Sequence, residues 1–246
     1  MQYLLAIDDT DQENWPGTGH LLEKIREQIQ HNQWGMTYSI TRHQLFFHPS
    51  IPYTSHNSVM CFSGEAMDTM MIKIKALAID ILLRNKAPAS DPGLCLAFPE
   101  KLNHQQKLIA FGQRAKREKI KKIEAYSLAQ QLGIDLSEHG GTGDGIIGAL
   151  AGIGLRLYGN DGRFRGHQFF AEELQSYQVG YLRQHFNIDQ IWTQKGVPLA
   201  DNNIIFLLGK IKTIFKNHQS VLPVKQVLIN KKPAWQNLAH QEIKGY

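Results

Sequence analysis

A short apolar run, Leu4-Leu5-Ala6-Ile7, breaks off into Asp8-Asp9-Thr10-Asp11, three carboxylates in four residues. No other feature constrains this chain as much. An apolar run this short, bounded by polar residues, reads as a buried strand. A buried strand that ends in an acidic turn sets its carboxylates at the rim of a sheet. Carboxylates so close repel one another unless a cation neutralises them. Magnesium is suited to the task, because one or two carboxylates and the oxygens of a phosphate complete its octahedron. The plain alternative is a solvated acidic turn ahead of the next helix.

A second feature complements the first. Gly140-Gly141-Thr142-Gly143-Asp144-Gly145 opens an apolar helix from Ile146 to Leu157. Glycines reach positive φ at no cost, so successive N–H groups can point at one anion. The dipole of the following helix adds to that potential. Thr142 offers a hydroxyl, whereas Asp144 repels a phosphate unless a metal lies between them. The alternative is a packing device, with Gly148, Gly152 and Gly154 allowing close approach. Thr18, between Gly17 and Gly19, is open to three roles: a phosphate contact, a phosphate acceptor, or a helix cap. An acidic turn that holds a cation and a glycine loop that holds an anion together point to a metal–nucleotide site.

Elsewhere the pattern alternates strand and helix, which argues an α/β fold with mixed sheets. Strands are predicted at Tyr3 to Ile7, Thr37 to Arg42, Ser58 to Phe62, Gly93 to Phe98 and Ile120 to Tyr126. Helices are predicted at His20 to His31, Glu65 to Arg84, Asn103 to Arg117 and Ala171 to Phe186, with a helical turn at Leu128 to Leu132. Further strands are expected at 190–193, 204–208 and 225–229. The division expected is an ATP-binding region at 1–170, with a possible inserted lobe at 61–136, and a C-terminal α/β region at 171–246.

At 246 residues the chain can bury a sizeable core without staples. Cys61 and Cys95 both lie in apolar stretches and read as small core residues. No Cys-x-x-Cys pair is present, which excludes a zinc ribbon within this sequence. No apolar run approaches a membrane span, and no leader precedes the first strand, so a cytoplasmic protein is expected. The net charge of +5 is compatible with an anionic partner such as RNA or a nucleotide.

Other candidates carry less. No Gly-x-x-x-x-Gly-Lys-Ser/Thr motif occurs. Asp9-Thr10-Asp11 has the Asp-x-Asp spacing of dehalogenase-type phosphatases, which would make Asp9 a nucleophile, but Glu13 stands where those enzymes carry Thr or Val. His43, His48 and His56 flank a proline-punctuated loop at 48–57 and would need to converge to bind a metal. Arg114, Lys116, Arg117, Lys119, Lys121 and Lys122 form a basic stretch, either a solvated face or an RNA-phosphate contact.

The blocks at 7–11, 17–18, 48–53, 90–93 and 143–151, in this order, resemble the N-terminal catalytic part of the archaeal agmatinylcytidine synthetase of isoleucine tRNA. The resemblance covers roughly residues 1 to 155. That family has an ATP-using, kinase-like domain followed by a ferredoxin-like domain, an OB-fold and a zinc ribbon. The resemblance implies that Asp8, Asp9 and Asp11 hold Mg2+ and the phosphates of ATP, with Thr10 and Thr18 beside them. It implies nucleotide contacts from Gly17, Asn57, Gly141, Thr142, Gly143, Gly145 and Gly148, and tRNA as a possible partner. Two departures stand out. The family's proline loop is rich in Lys and Arg where this chain has Phe46-Phe47-His48 and Thr54-Ser55-His56, and its glycine loop carries Arg where this chain has Asp144. The activity expected is an ATP- and Mg2+-dependent phosphotransferase. The competing expectations are a non-catalytic RNA-binding scaffold and the phosphatase.

Overall fold

β1 (Gln2–Asp8) lies between two antiparallel neighbours, β4 (Ser58–Ala66) and β5 (Gly93–Ala97). β6 (Asp135–Glu138) pairs with the outer side of β5. β2 (Gly35–Thr37) and β3 (Thr41–Gln44) lie end to end along the outer side of β4. Every pairing in this sheet among the described residues is antiparallel. The acidic turn therefore does not crown a doubly wound parallel sheet, the setting that a dehalogenase-type phosphatase would need. The computed structural model describes residues 1–51, 56–166 and 169–246, and these fall into two units, Met1–Tyr158 and Gly159–Tyr246.

The first unit has helices on both faces of its sheet, because β1 is apolar on both sides. Tyr3, Leu5 and Ile7 pack against α1 (Thr18–His31) and α2 (Asp68–Asn85). Leu4 and Ala6 pack on the opposite face against α3 (Gln105–Ala115), α4 (Lys122–Leu132) and α5 (Gly145–Tyr158). A strand covered on both faces must be apolar at every position, which is what the first residues of the chain provide. Close packing of α5 on α3 depends on glycine: a Cβ at Gly154 would collide with the Leu108 carbonyl oxygen. Cys61 and Cys95 are both buried and both face Ala6 in register, one from each side of β1. Two strand spacings separate them by roughly 9–10 Å, beyond the reach of a disulfide.

Three expectations need correction in this unit. The block at 61–136 is not a separate lobe, since β4 and β5 are the direct neighbours of β1. Ile120 to Tyr126 is not a strand. Its later part belongs to α4, where Ala125, Ala129 and Leu132 supply the buried stripe and Glu124 Oε1 accepts the Lys121 N–H at 3.0 Å, closing the first turn. The helix expected from Glu65 starts at Asp68, because Glu65 and Ala66 complete β4 opposite β1 and β2.

The second unit is built on β12 (Gln219–Ile229), which pairs with β9 (Gln190–Thr193), β11 (Ile214–Lys216) and β13 (Lys232–Asn237). β13 pairs in parallel with β10 (Ile204–Ile211), which pairs with β8 (Phe169–Gln178), while β7 (Arg163–Phe164) pairs with β11. α6 (Val179–His185) buries Val179 and Leu182 against Ile191, Ile205 and Leu222. A helix was expected from Ala171 to Phe186. The structure instead makes β8 out of its first half. The Ala-Glu-Glu-Leu-Gln sequence favours a helix on propensity, but pairing along the length of β10 overrides it. The two glutamates suit a sheet edge, where charge discourages further pairing.

Candidate functional site

The acidic turn leaves β1 at the point where α5 begins. Asp9 takes a left-handed conformation with φ 53°, which Asp tolerates better than most residues. This reverses the chain so that Asp8, Asp9 and Asp11 all line one cavity of about 380 Å3 within the first unit. Gly17, Thr18, Asn57, Thr142, Gly145 and Gly148 line it too. The two sequence features, about 130 residues apart, therefore share one site.

Their closest meeting is between Asp8 and Gly148. The Asp8 carboxylate occupies the space where a side chain on Gly148 would stand, so that a Cβ there would collide with Oδ2. Gly145 is equally constrained: a Cβ would collide with the Asp91 carbonyl oxygen and meet the Asp8 carbonyl oxygen at 3.1 Å. The missing side chains let α5 approach the end of β1 closely enough to bury an ionisable group there.

Burial pushes the Asp8 carboxyl well above its ordinary pKa. The charges of Asp9 and Asp11 add to the shift, and a hydrogen bond from the Asp9 backbone opposes it. Asp9 is raised to about 6 by burial, then by Asp91, Asp11 and Asp144. Asp9 thus stands at the centre of the group, in electrostatic reach of Asp8, Asp11, Asp91 and Asp144. Among the described residues no three His, Cys, Asp or Glu side chains already converge as a metal cage. The donor set nonetheless fits magnesium, which takes one or two carboxylates and keeps water or phosphate oxygens at its other positions.

Thr10 and Thr18 are buried and bonded to each other, the Thr10 hydroxyl donating to Thr18 Oγ1 at 3.1 Å. Thr10 does not line the cavity, and its carbonyl accepts the Ala87 N–H at 2.9 Å. Thr18 is the first residue of α1 and not its cap, a position that falls to Gly17. The Thr18 N–H reaches Asp11 Oδ2 at 3.4 Å, so the start of α1 holds the third carboxylate of the turn.

The glycine loop differs from the expected cradle of N–H groups. Asp91 accepts the Thr142 N–H at 2.5 Å and the Thr142 hydroxyl at 2.8 Å. Gly143 donates to the Gly140 carbonyl at 3.1 Å, and Gly145 to the Asp91 carbonyl at 3.1 Å. Gly141 and Gly143 both have positive φ and lie outside the cavity lining. Their glycine character serves packing: a Cβ on Gly141 would strike Asp91 Oδ1, and one on Gly143 would strike Glu138 Oε2. The loop is a fixed wall, fastened by Asp91 and by Lys122, whose ammonium donates to the Thr142 carbonyl at 2.6 Å.

Asn57 lines the cavity and also ties β3 to β4. Its Nδ2 donates to the Phe46 carbonyl at 2.8 Å, and its own carbonyl accepts the Leu45 N–H at 2.8 Å. The three histidines do not converge. His43 is buried beside Thr41, His48 is exposed and stacked on Phe46, and His56 alone lines the cavity. The proline loop's residues 52–55 lie outside the described residues.

Several lining residues were not identified as site candidates from the sequence. Asp91 fastens the glycine loop. Arg42 and Lys119 are the cavity's Arg and Lys, and Glu118 lies beside Lys119. Leu45, Ile51, Met60, Ile120 and Ile147 give the cavity an apolar wall. Asp91 had a signal, in the Ser90-Asp91-Pro92-Gly93 block of the resemblance. Lys119 was visible only as one of a basic run. Others of that run are already paired, Arg114 with Glu118 and Glu124, and Lys122 with Glu138.

Comparison with solved structures identifies the architecture. The crystal structure of TiaS in complex with an isoleucine tRNA and ATP superposes with a TM-score of 0.56 at 21% identity, over 82% of this chain and 50% of that one. The chain has a TiaS-like fold. Apo TiaS, the agmatidine synthetase of that tRNA, matches at TM-score 0.54 and 20% identity over 75% of this chain and 44% of its own. A crystal structure titled as a tRNA fluorescent labeling enzyme matches at TM-score 0.54 and 24% identity, over 63% of this chain and 36% of that one. The chain thus spans half or less of the length of these TiaS-like neighbours. No protein-family profile matches it, and no curated protein does. No helix among the described residues is long and apolar enough to cross a membrane.

Proposed function

We propose that the first unit is an ATP- and Mg2+-dependent phosphotransferase of the kind used in tRNA modification, with a nucleotide of RNA as the acceptor. One observation carries this reading: a buried carboxylate, Asp8, is seated in the space that Gly148 leaves open and lines a cavity together with Asp9, Asp11, Asp91 and Asp144. A protein gains no stability from a carboxylate held there without a partner, so a cation is the natural occupant. The TiaS neighbours, solved with ATP and with tRNA, support the choice of nucleotide and acceptor class.

In this reading Asp8 and Asp11 hold the metal, and Asp9 joins them or a bound water. Magnesium, when bound, neutralises charge on the phosphates. Arg42 and Lys119, which line the same cavity, would offset the charge that spreads over the oxygens of the transferring group. The apolar wall from Leu45 to Ile147 takes the base. Asp91 and Thr142 keep the glycine wall in place, so that little reorganisation is left to the reaction itself. Phosphoryl transfer asks mainly for such positioning and charge stabilisation.

The test is calorimetric titration of ATP into the wild type and into Asp8→Asn/Asp11→Asn, with and without magnesium. Magnesium-dependent binding that the double variant loses supports the reading. Failure of the wild type to bind ATP at millimolar concentration overturns it. Transfer of labelled γ-phosphate from ATP to bulk tRNA then tests the acceptor class.

A further inference from the structure

The net charge of +5 is confined to the second unit. Residues 159–246 hold eleven Lys and Arg against six Asp and Glu, whereas residues 1–158 hold sixteen of each. The second unit also gathers part of that excess in one place. Arg163 is in register with Ile214, and Phe164 N–H donates to the Thr213 carbonyl at 3.0 Å, which sets Arg163 beside the β10–β11 connection, with Lys212 in it and Lys210 in the end of β10 that leads to it. Ile243 packs on Ile214 and Val221, bringing the C-terminal turn with His240 and Lys244 to the same connection. Among the described residues no hydrogen bond or ion pair holds the half-buried Arg163 guanidinium. Desolvation and then Lys212, Lys244, Lys210 and Arg163 hold His240 below its ordinary pKa. Cations brought together by folding repel one another until an anion relieves them.

We infer that Arg163, Lys210, Lys212 and Lys244 form a binding patch for the phosphodiester backbone of RNA. The cations sit on four separate elements, Arg163 on β7, Lys210 near the end of β10, Lys212 on the β10–β11 connection and Lys244 on the C-terminal turn, so they address a series of phosphates and not one. The same unit carries a column of near-parallel rings. Tyr177 and Tyr181 are 6.0 Å apart at 18°, and Tyr181 and His185 are 4.2 Å apart at 22°. Tyr181 and His185 are exposed, and such rings are surfaces on which unpaired bases stack. This inference deepens the reading of an RNA acceptor, but its test needs neither ATP nor the carboxylates of the first unit.

The experiment measures binding of unfractionated tRNA to the full chain as a function of salt, without ATP. The patch variant is Lys210→Ala/Lys212→Ala/Lys244→Ala. The control is Lys195→Ala/Lys231→Ala/Lys232→Ala, which removes the same charge from exposed positions elsewhere in the unit. Circular dichroism verifies that both fold. The patch variant is expected to bind about tenfold or more weakly and to lose roughly two to three units of the slope of log K against log salt, one for each lost phosphate contact. The control keeps most of the wild-type affinity. Equal losses in patch and control variants overturn the patch, as does wild-type affinity in the patch variant. Binding to phosphatidylserine vesicles with none to tRNA overturns RNA as the partner. ATP titrated into the patch variant separates this inference from the first unit's reading: tRNA binding lost with ATP binding kept supports the patch, and tRNA binding kept overturns it whether or not ATP binds.

Discussion

Asp8 and Gly148 are a matched pair: the carboxylate of one fills the space that the other leaves by having no side chain. The pair couples the end of the central strand to the first turn of the most buried helix in the first unit. It follows that Gly148→Ala must displace the carboxylate. The expected loss is about 1–3 kcal/mol of stability, the range for overpacking a tight site, with at least a tenfold rise in the Kd for Mg2+–ATP. Gly152→Ala is the control, since its Cβ would press on Val59 Cγ2 at 2.6 Å, away from the carboxylates. It should cost comparable stability and leave nucleotide affinity within a few-fold. Thermal melts and calorimetric titration of the two variants separate the effects. Equal nucleotide affinity in both would contradict the pairing.

The raised carboxyls predict an unusual dependence of stability on pH. Asp8 and Asp9 both have native pKa values above their unfolded ones, Asp9 at about 6. The native state therefore holds protons that the unfolded state releases, and stability from these groups rises as pH falls. For Asp9 the rise is expected between about pH 7 and pH 4, the window between its native value and the ordinary carboxylate range. Without metal, Tm should rise as pH is lowered from about 7.5 to about 5.5, across the upper part of that window. Saturating Mg2+ should raise Tm at the upper end and flatten the dependence, and Asp8→Asn/Asp9→Asn should flatten it without metal. A metal-free Tm that falls monotonically over that range, with the double variant behaving as the wild type, would refute the assignment.

How much of this was legible beforehand follows from which interactions are local. The strand at Leu4 to Ile7 and the helix after Gly145 were legible because each is a contiguous apolar segment with a polar boundary. That their ends meet was suggested by chemistry alone, an acidic turn and a glycine loop being complementary. The role of the glycines was not legible. A run of Gly near a helix start signals backbone freedom, but whether freedom serves a ligand or a neighbour is decided by Asp91, about 50 residues earlier in the chain. The same holds for Ala171 to Gln178, where local propensity points to a helix and the partner strand β10 lies some 30 residues away. Arg42 and Lys119 were indistinguishable from other surface cations until the fold turned them into one cavity.

Asp91 is expected to act through the loop. It accepts two hydrogen bonds from Thr142, and its removal frees a segment with positive φ at Gly140, Gly141 and Gly143. Asp91→Ala should cost about 1–2 kcal/mol and speed amide exchange from Gly140 to Gly145 more than elsewhere. Thr142→Val, which keeps the N–H and removes the hydroxyl, should show a smaller effect of the same kind. Unchanged exchange in the loop in Asp91→Ala would show that the wall is held by other contacts.

Cys61 and Cys95 are expected to be inert in the folded protein. Both are fully buried on strands flanking β1, and burial pushes the Cys61 thiol up to about 12, with Cys95 raised as well. Reactivity requires the thiolate and access to it, and neither is available. A thiol reagent such as DTNB should label neither cysteine in native buffer and both in denaturant, and oxidants should form no intramolecular disulfide, because Ala6 holds the two apart in register. Labelling that follows the same denaturant dependence as global unfolding would place both cysteines in the most stable part of the first unit. Labelling of Cys61 well before unfolding would instead reveal local opening of β4, the strand that carries the Asn57 side of the cavity.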